Sequence, residues 1–173
     1  MICALRRLCL RAMFLLAAAV PAAAPAGDWR EQYREFYRLV AAQAVLLQEG
    51  PAGDVVVVAD PACSHCAVFE ERRRAGELAG YTVRLVLVDF LAPESGAADR
   101  ILCAPDPAAA YQRHLRGGGT PAPCASSTGA IHRRIAEIAE IWATPSFLTP
   151  GARSFTGLPP AGRLRAVLDE GQL

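Results

Sequence analysis

The apolar positions in the first half of the chain predict one helix followed by a strand–helix–strand unit. From Trp29 to Gln48, apolar side chains recur every three or four residues, which is typical of a helix with one buried face. The runs Asp54–Asp60 and Tyr81–Phe90 are mostly apolar and rich in β-branched residues, as in strands buried on both faces. The segment between them predicts a helix that ends near Gly76 or Gly80. Two such strands joined by a helix form a right-handed βαβ unit with parallel strands.

The second half of the chain predicts further helices, then a hairpin and a last helix. Three helices are expected there, over Glu94–Cys103, Pro107–Arg116 and Ser127–Glu140. Ser146–Thr149 and Ala152–Phe155 have the pattern of a β-hairpin. The last helix is expected from about Pro160 to Glu170, with proline in its first turn. The order β-α-β, helices, β-β-α predicts an α/β fold.

The first 26 residues have the pattern of a secretory signal peptide. Arginines precede the apolar run Ala12–Val20, and Ala24-Pro25-Ala26 offers a cleavage site after Ala26. The uncharged stretch is short for a membrane span, which needs about 20 residues. An uncleaved anchor is the alternative. The pattern therefore predicts an exported protein.

Composition narrows the class of protein. The chain has 173 residues, 53% of them hydrophobic, which suits a single folded domain. Its formal net charge of +1 excludes bulk charge as a reason to bind nucleic acid. Without residues 1–26, four cysteines remain, and an even number is typical of an oxidising compartment. Their spacing suggests two pairs, Cys63 with Cys66 and Cys103 with Cys124.

The first cysteine pair lies where thiol chemistry is favoured. Cys63-Ser64-His65-Cys66 follows a predicted buried strand and begins a predicted helix. Backbone N–H groups and the helix dipole at such a position stabilise a thiolate on Cys63, and a protonated His65 would add to this effect. Cys66, one turn further on, can resolve a mixed disulfide formed by Cys63. We therefore expect a disulfide that is more oxidising than that of thioredoxin.

Two other interpretations of the Cys63/Cys66 pair stay open. One is half of a zinc site, although zinc normally takes four ligands and the second cysteine pair has no histidine close by. The other is a purely structural disulfide, although so tight a ring would be strained. Haem attachment is excluded, because Ala67 stands where histidine would have to follow the second cysteine.

The remaining candidate residues admit a plain structural role as well as a functional one. Cys103 and Cys124 bracket a Gly/Pro-rich loop and are most simply a structural disulfide, with a second redox centre as the alternative. A cis peptide at Thr144-Pro145 would present the Thr144 backbone to a partner, whereas a trans proline would form an ordinary turn. Trp142 is expected to be a core residue beneath the site. His114 and His132 are expected to be surface or hydrogen-bonded structural histidines.

The sequence resembles the catalytic domain of the DsbC/DsbG periplasmic thiol–disulfide isomerases over residues 54 to about 171. The likeness lies in DVVVVADPACSHCAVFEE, the second cysteine pair, ATPSFLTPGARSFTGLPPAGRLRAVLDE and the order of these elements. It implies a thioredoxin-like fold with a helical insertion between the βαβ and ββα halves. It also implies that Cys63 is the nucleophile, Cys66 the resolving thiol, Thr144-Pro145 a substrate-binding cis-proline loop and Cys103–Cys124 a structural disulfide.

The resemblance also sets expectations for organisation and partners. We expect a signal peptide at 1–26, a helix or linker at 27–53 and the thioredoxin-like catalytic domain at 54–173. Substrates would be thiols and disulfides of exported proteins, with a DsbD-like or DsbB-like membrane partner and no metal or organic cofactor. Family isomerases carry an amino-terminal dimerisation domain, which a single helix does not replace, so dimerisation stays open. A DsbA-like oxidase or a reductase is the first alternative, and a metal-binding or chaperone-like module the second.

Overall fold

The fold is built on a five-stranded mixed sheet with helices on both faces. The computed structural model describes residues 28–124 and 127–172, so the predicted signal peptide lies outside the described residues. The strands are β1 (Val45–Gln48), β2 (Gly53–Ala59), β3 (Tyr81–Leu87), β4 (Ser146–Leu148) and β5 (Ser154–Thr156). The helices are α1 (Trp29–Gln43), α2 (Ser64–Arg74), α3 (Ala97–Leu102), α4 (Pro107–Leu115), α5 (Thr128–Ile138) and α6 (Leu164–Asp169). None of the described helices is long and apolar enough to cross a membrane.

The strand order β1-β3-β2-β4-β5 confirms the predicted α/β class. β2 and β3 are parallel and in register from Gly53 opposite Tyr81 to Ala59 opposite Leu87, with α2 as their connection. β4 runs antiparallel to β2, and β5 runs antiparallel to β4. Helices α3, α4 and α5 lie between β3 and β4 in the chain and form the expected helical insertion.

Alternate residues of the central strands face two separate cores. On one face, Val56 and Val58 pack with Tyr37 and Val40 of α1 and with the end of α5. On the other face, Val55 and Val57 pack with Phe69 of α2 and with α6. Because both faces are covered, β2 and β3 consist almost entirely of apolar residues, which is why they could be recognised in the sequence.

The predicted helix Trp29–Gln48 is wrong in its last turn. Helix α1 ends at Gln43, Ala44 is extended, and Val45–Gln48 forms β1 antiparallel to β3. The edge of β3 needs hydrogen-bond partners, and this strand supplies them while Val45 and Leu47 pack against a core cluster. Backbone pairing in the sheet thus outweighs local helix propensity.

Two other predicted helices begin later than expected. Glu94–Cys103 divides at Gly96, whose φ of +57° separates a short 3₁₀ turn from α3. The last helix begins at Leu164 and not at Pro160. The preceding turn is stabilised by two residues from another part of the chain. Arg72 donates to the carbonyl oxygens of Pro159 and Pro160. Glu77 accepts from the N–H of Leu164. These tertiary contacts are not visible in a local pattern.

His132 is a structural histidine inside the protein. Its Nδ1 accepts from the N–H of Leu87 and its Nε2 donates to the carbonyl of Gln43, each over 2.9 Å. Burial lowers its pKa. The neutral ring therefore joins the end of α1 to the end of β3. His114 is half-buried and lies 3.0 Å from the hydroxyl of Thr120.

Candidate redox-active site

A buried aspartate shapes the loop that leads from β2 to α2. Asp60 is 1% exposed, and its carboxylate accepts from the N–H groups of Ala62 (2.7 Å) and Leu91 (2.8 Å). Its carbonyl oxygen accepts from the N–H of Cys63 over 3.0 Å. The sequence pattern predicts Asp60 only as the end of a strand. The available signal was an acidic residue between an apolar run and a cysteine three positions later.

The two cysteines occupy the first turn of α2 in unequal environments. Cys63 is the N-terminal capping residue, and its carbonyl accepts from the N–H groups of Cys66 and Ala67, both over 3.1 Å. Both residues are free thiols. Cys63 is 5% exposed and Cys66 is 0% exposed. An incoming sulfur can therefore reach Cys63 more readily than Cys66.

The loop before β4 lies against Cys63. The Sγ of Cys63 donates to the carbonyl oxygen of Thr144 over 3.4 Å. The Thr144-Pro145 peptide bond is cis. The loop is fastened on both sides, because Ser146 Oγ donates to the carbonyl of Ala143 over 2.7 Å and Gly157 N–H donates to that of Pro145 over 2.8 Å. Thr144 is thereby held beside the sulfur.

The surroundings shift the pKa values of the two thiols in opposite directions. Burial acts to raise the pKa of Cys63, but hydrogen bonds from the Thr144 side chain, the Cys66 thiol and the backbone N–H groups of Cys66 and His65 outweigh it, so the pKa is lowered. Burial raises the pKa of Cys66 to about 12. The nearby Cys63 contributes to this rise. The thiolate therefore forms more readily on Cys63 than on Cys66.

The dipeptide between the cysteines faces solvent. Ser64 is the first residue of α2, and both Ser64 and His65 are exposed. His65 contributes to the lowered pKa of Cys63 through its backbone N–H. The contribution expected from a protonated His65 ring stays a prediction.

The second cysteine pair forms a disulfide between Cys103 and Cys124. Cys103 follows the last residue of α3, and its bond to Cys124 closes a segment that contains α4 and the glycine-rich loop. Among residues 28–124 and 127–172, no group of three or more His, Cys, Asp or Glu side chains is arranged to hold a metal ion.

Two large apolar side chains are exposed on the loops that hold the dithiol. Trp142 was expected in the core, but it is 71% exposed two residues before Thr144. Its neighbour Ile141 takes the buried position instead, at 7% exposed. Leu91 is 63% exposed, and its N–H is the one bound by the Asp60 carboxylate. Both exposed side chains thus lie on loops that also carry groups of the site.

Solved structures of disulfide interchange proteins and related domains share this fold. A disulfide interchange protein from Neisseria gonorrhoeae is 24% identical with a TM-score of 0.66, and the match covers 76% of this chain and 97% of that one. The catalytic domain of Proteus mirabilis ScsC is 15% identical with a TM-score of 0.63, over 82% and 97% of the two chains. A periplasmic thioredoxin-like protein from Salmonella enterica serovar Typhimurium is 17% identical with a TM-score of 0.61, over 75% and 90%.

These likenesses confirm the thioredoxin-like fold that the resemblance implied. No protein-family model matches the sequence, and no curated protein matches it significantly. The chain thus shares a thioredoxin-like fold with these three proteins.

The unequal thiols predict unequal alkylation. With the reduced protein and iodoacetamide, Cys63 should react with a pH midpoint below the value of about 8.5 for a free thiol, while Cys66 stays unmodified. Replacing Thr144 by valine removes a hydrogen bond to the thiolate and should move the Cys63 midpoint up by about one pH unit. Tandem mass spectra, which distinguish the two cysteines, give both profiles.

The unfolded protein serves as the control for this measurement. In denaturant both cysteines should titrate alike, near the free-thiol value. Identical Cys63 profiles in the folded and unfolded protein would contradict the lowered pKa.

Proposed function

We propose that this protein is an exported thiol–disulfide oxidoreductase that acts on cysteines of other proteins through Cys63 and Cys66. The observation that carries the proposal is the asymmetric dithiol at the start of α2. Cys63 has a lowered pKa and lies against Thr144, and Cys66 lies buried one turn further on. Such a pair suits one sulfur that attacks and a second that resolves.

The exchange proceeds in two balanced steps. The Cys63 thiolate attacks a substrate disulfide, so that one new S–S bond joins Cys63 to the substrate and one substrate sulfur leaves as a thiolate that takes up a proton. Cys66 then loses its proton to solvent and attacks Cys63. The Cys63–Cys66 bond forms, and the second substrate sulfur leaves and is protonated. The reverse sequence oxidises two substrate thiols.

Thr144 and Pro145 form the proposed contact with the substrate backbone. The Thr144 carbonyl lies within 3.4 Å of the reactive sulfur. A backbone placed beside a nucleophile in this way can pair with an extended segment that carries the substrate cysteine. Trp142 and Leu91 add exposed apolar surface on loops tied to the same site, which favours an extended polypeptide with apolar residues near its cysteine.

Disulfide isomerisation is the form of this activity that the environment of Cys66 favours. Its pKa is raised to about 12, so only a small fraction is thiolate at neutral pH and resolution is slow. A long-lived mixed disulfide gives other thiols of the substrate time to attack. A DsbA-like oxidase or a dedicated reductase shares the first step and differs in its redox partner.

The sequence pattern supports the proposed setting, and a periplasmic protein of the same fold agrees with it. We place a signal peptide at residues 1–26, a helix or linker at 27–53 and the catalytic domain at 54–173. Export to the periplasm would bring the dithiol to proteins that carry disulfides. A DsbD-like or DsbB-like membrane protein would reset the state of Cys63 and Cys66.

Single cysteine variants test whether Cys63 attacks the substrate and Cys66 resolves the mixed disulfide. Cys66→Ala should accumulate mixed disulfides with exported proteins through Cys63, because the resolving thiol is missing. Cys63→Ala should accumulate none. Acid quenching, alkylation and non-reducing electrophoresis of periplasmic extracts measure both.

Other outcomes of this experiment would point to the alternative classes. Full activity in vivo of Cys63→Ala would favour a chaperone-like module. Zinc or copper bound in a one-to-one ratio to the purified protein, and lost in both variants, would favour a metal-binding protein.

The exposed tryptophan gives a second test, with a matched control. Trp142→Ala should weaken the reaction with a reduced or misfolded protein substrate roughly threefold or more, because a large interface aromatic is lost, while the reaction with glutathione is unchanged. Trp29 is 57% exposed on α1, and Trp29→Ala should change neither rate. Equal effects of the two substitutions on the protein substrate would contradict a docking role for Trp142. Acid quenching at timed intervals, alkylation and non-reducing electrophoresis give the rates.

A further inference from the structure

A buried tyrosine lies behind the dithiol without an assigned role. Tyr111 is on α4, in the helical insertion, and is 0% exposed. It belongs to the same core cluster as Cys63 and Cys66, together with Leu85 and Leu87 of β3. The helical insertion therefore packs in the same core cluster as the two cysteines, and it places the Tyr111 hydroxyl in that cluster.

This hydroxyl has no hydrogen-bond partner among the described residues. Burying an unpaired hydroxyl costs free energy that a phenylalanine of the same shape would avoid. The hydroxyl is useful only in a state of the protein that offers it an acceptor. The resolving reaction creates one, because the Cys66 sulfur must become a thiolate in a buried place.

Among the charged groups that act on Tyr111, Cys66 has the largest effect. Burial raises the pKa of Tyr111 well above its ordinary value, and negative charge on Cys66 raises it further, with additional contributions from Glu70, Cys63 and Asp60. The hydroxyl thus keeps its proton and acts as a donor. It lies within electrostatic reach of four groups that can be anionic.

Donors hold three of these four groups, whereas the hydrogen bonds that Cys66 receives from the Asp60 backbone and the Thr144 side chain do not offset its burial. Arg73 holds the Glu70 carboxylate with two hydrogen bonds of 2.7 and 2.8 Å. Backbone N–H groups hold Asp60, and hydrogen bonds lower the pKa of Cys63. Cys66 is the group whose anion the surroundings disfavour. A hydrogen bond from Tyr111 would therefore stabilise the Cys66 thiolate more than it would stabilise the other three anions.

We propose that Tyr111 is a positioning residue for Cys66, whose hydroxyl donates to the Cys66 sulfur as it becomes a thiolate and so sets the rate of resolution. This proposal rests on the proposed function. In the step, Cys66 gives its proton to solvent and attacks Cys63, the Cys63–Cys66 bond forms, and the substrate sulfur leaves and takes up a proton. Tyr111 keeps its proton throughout.

The test separates attack by Cys63 from resolution by Cys66. The reduced full chain is mixed with excess dithionitrobenzoate in a stopped-flow instrument. Attack by Cys63 releases a first coloured thiolate at a rate that depends on reagent concentration. Attack by Cys66 on the mixed disulfide releases a second at a rate that does not. Tyr111→Phe should leave the first phase unchanged and slow the second roughly three- to tenfold.

The pH dependence of the second-phase rate distinguishes an effect of Tyr111 on the ionisation of Cys66 from a merely structural effect. In Tyr111→Phe the second phase should reach half its maximal rate at a higher pH than in the wild type. The matched control is Tyr33→Phe, because the Tyr33 hydroxyl is also buried without a partner but packs against the core on the other face of the sheet. Tyr33→Phe should change neither phase. An unchanged second phase in Tyr111→Phe, or equal slowing in both variants, overturns the proposal.

Two further variants keep the result unambiguous. Cys66→Ala should abolish the second phase. If the second phase persists in Cys66→Ala, the proposed function is wrong. If Cys66→Ala abolishes the second phase but Tyr111→Phe has no effect on it, only the Tyr111 proposal is wrong. A fluorinated tyrosine at position 111, a stronger donor, should speed the second phase. The fluorinated variant tests the proposal if Tyr111→Phe does not fold. A second phase that is unchanged or slower in the fluorinated variant overturns the proposal.

Discussion

The contact between the Cys63 sulfur and the Thr144 carbonyl is the feature that the rest of the structure maintains. β2 ends at Ala59, and β4 begins at Ser146 and runs antiparallel to it, with Val58 opposite Ser146. The end of one strand and the start of the other therefore meet at the same edge of the sheet. Asp60 then fixes the turn that leads into α2. The pairing of β2 with β4 thus brings together Cys63 and Thr144, which are 81 positions apart in the sequence.

The difference between two identical side chains follows from this placement. Cys63 lies at the start of a helix, where N–H groups and the Thr144 hydroxyl stabilise its negative charge. Cys66, a turn deeper, has its sulfur among apolar residues of the core, where charge is costly. One position favours the thiolate and the other the thiol. In the proposed exchange, Cys63 therefore attacks first and Cys66 second.

The sequence predicted those parts of the fold in which the local pattern and the tertiary environment agree. β2, α2 and β3 were recognised because strands buried on both faces are apolar throughout, and the cysteines were recognised by where they lie relative to them. β1 was missed because Val45–Gln48 continues the helical periodicity and pairs only with a distant strand. The exposure of Trp142, the loop-forming role of Asp60 and the burial of Tyr111 depend on how the helical insertion and the loops pack, which spacing does not encode.

The reduction potential of the Cys63–Cys66 pair tests the central claim most directly. Stabilising the Cys63 thiolate stabilises the reduced form, so the disulfide should be a stronger oxidant than that of thioredoxin. Equilibration with glutathione buffers, followed by alkylation and mass spectrometry of the peptide that holds both cysteines, gives the potential. We expect a value of roughly −200 to −120 mV. A value near that of thioredoxin, about −270 mV, would contradict the account.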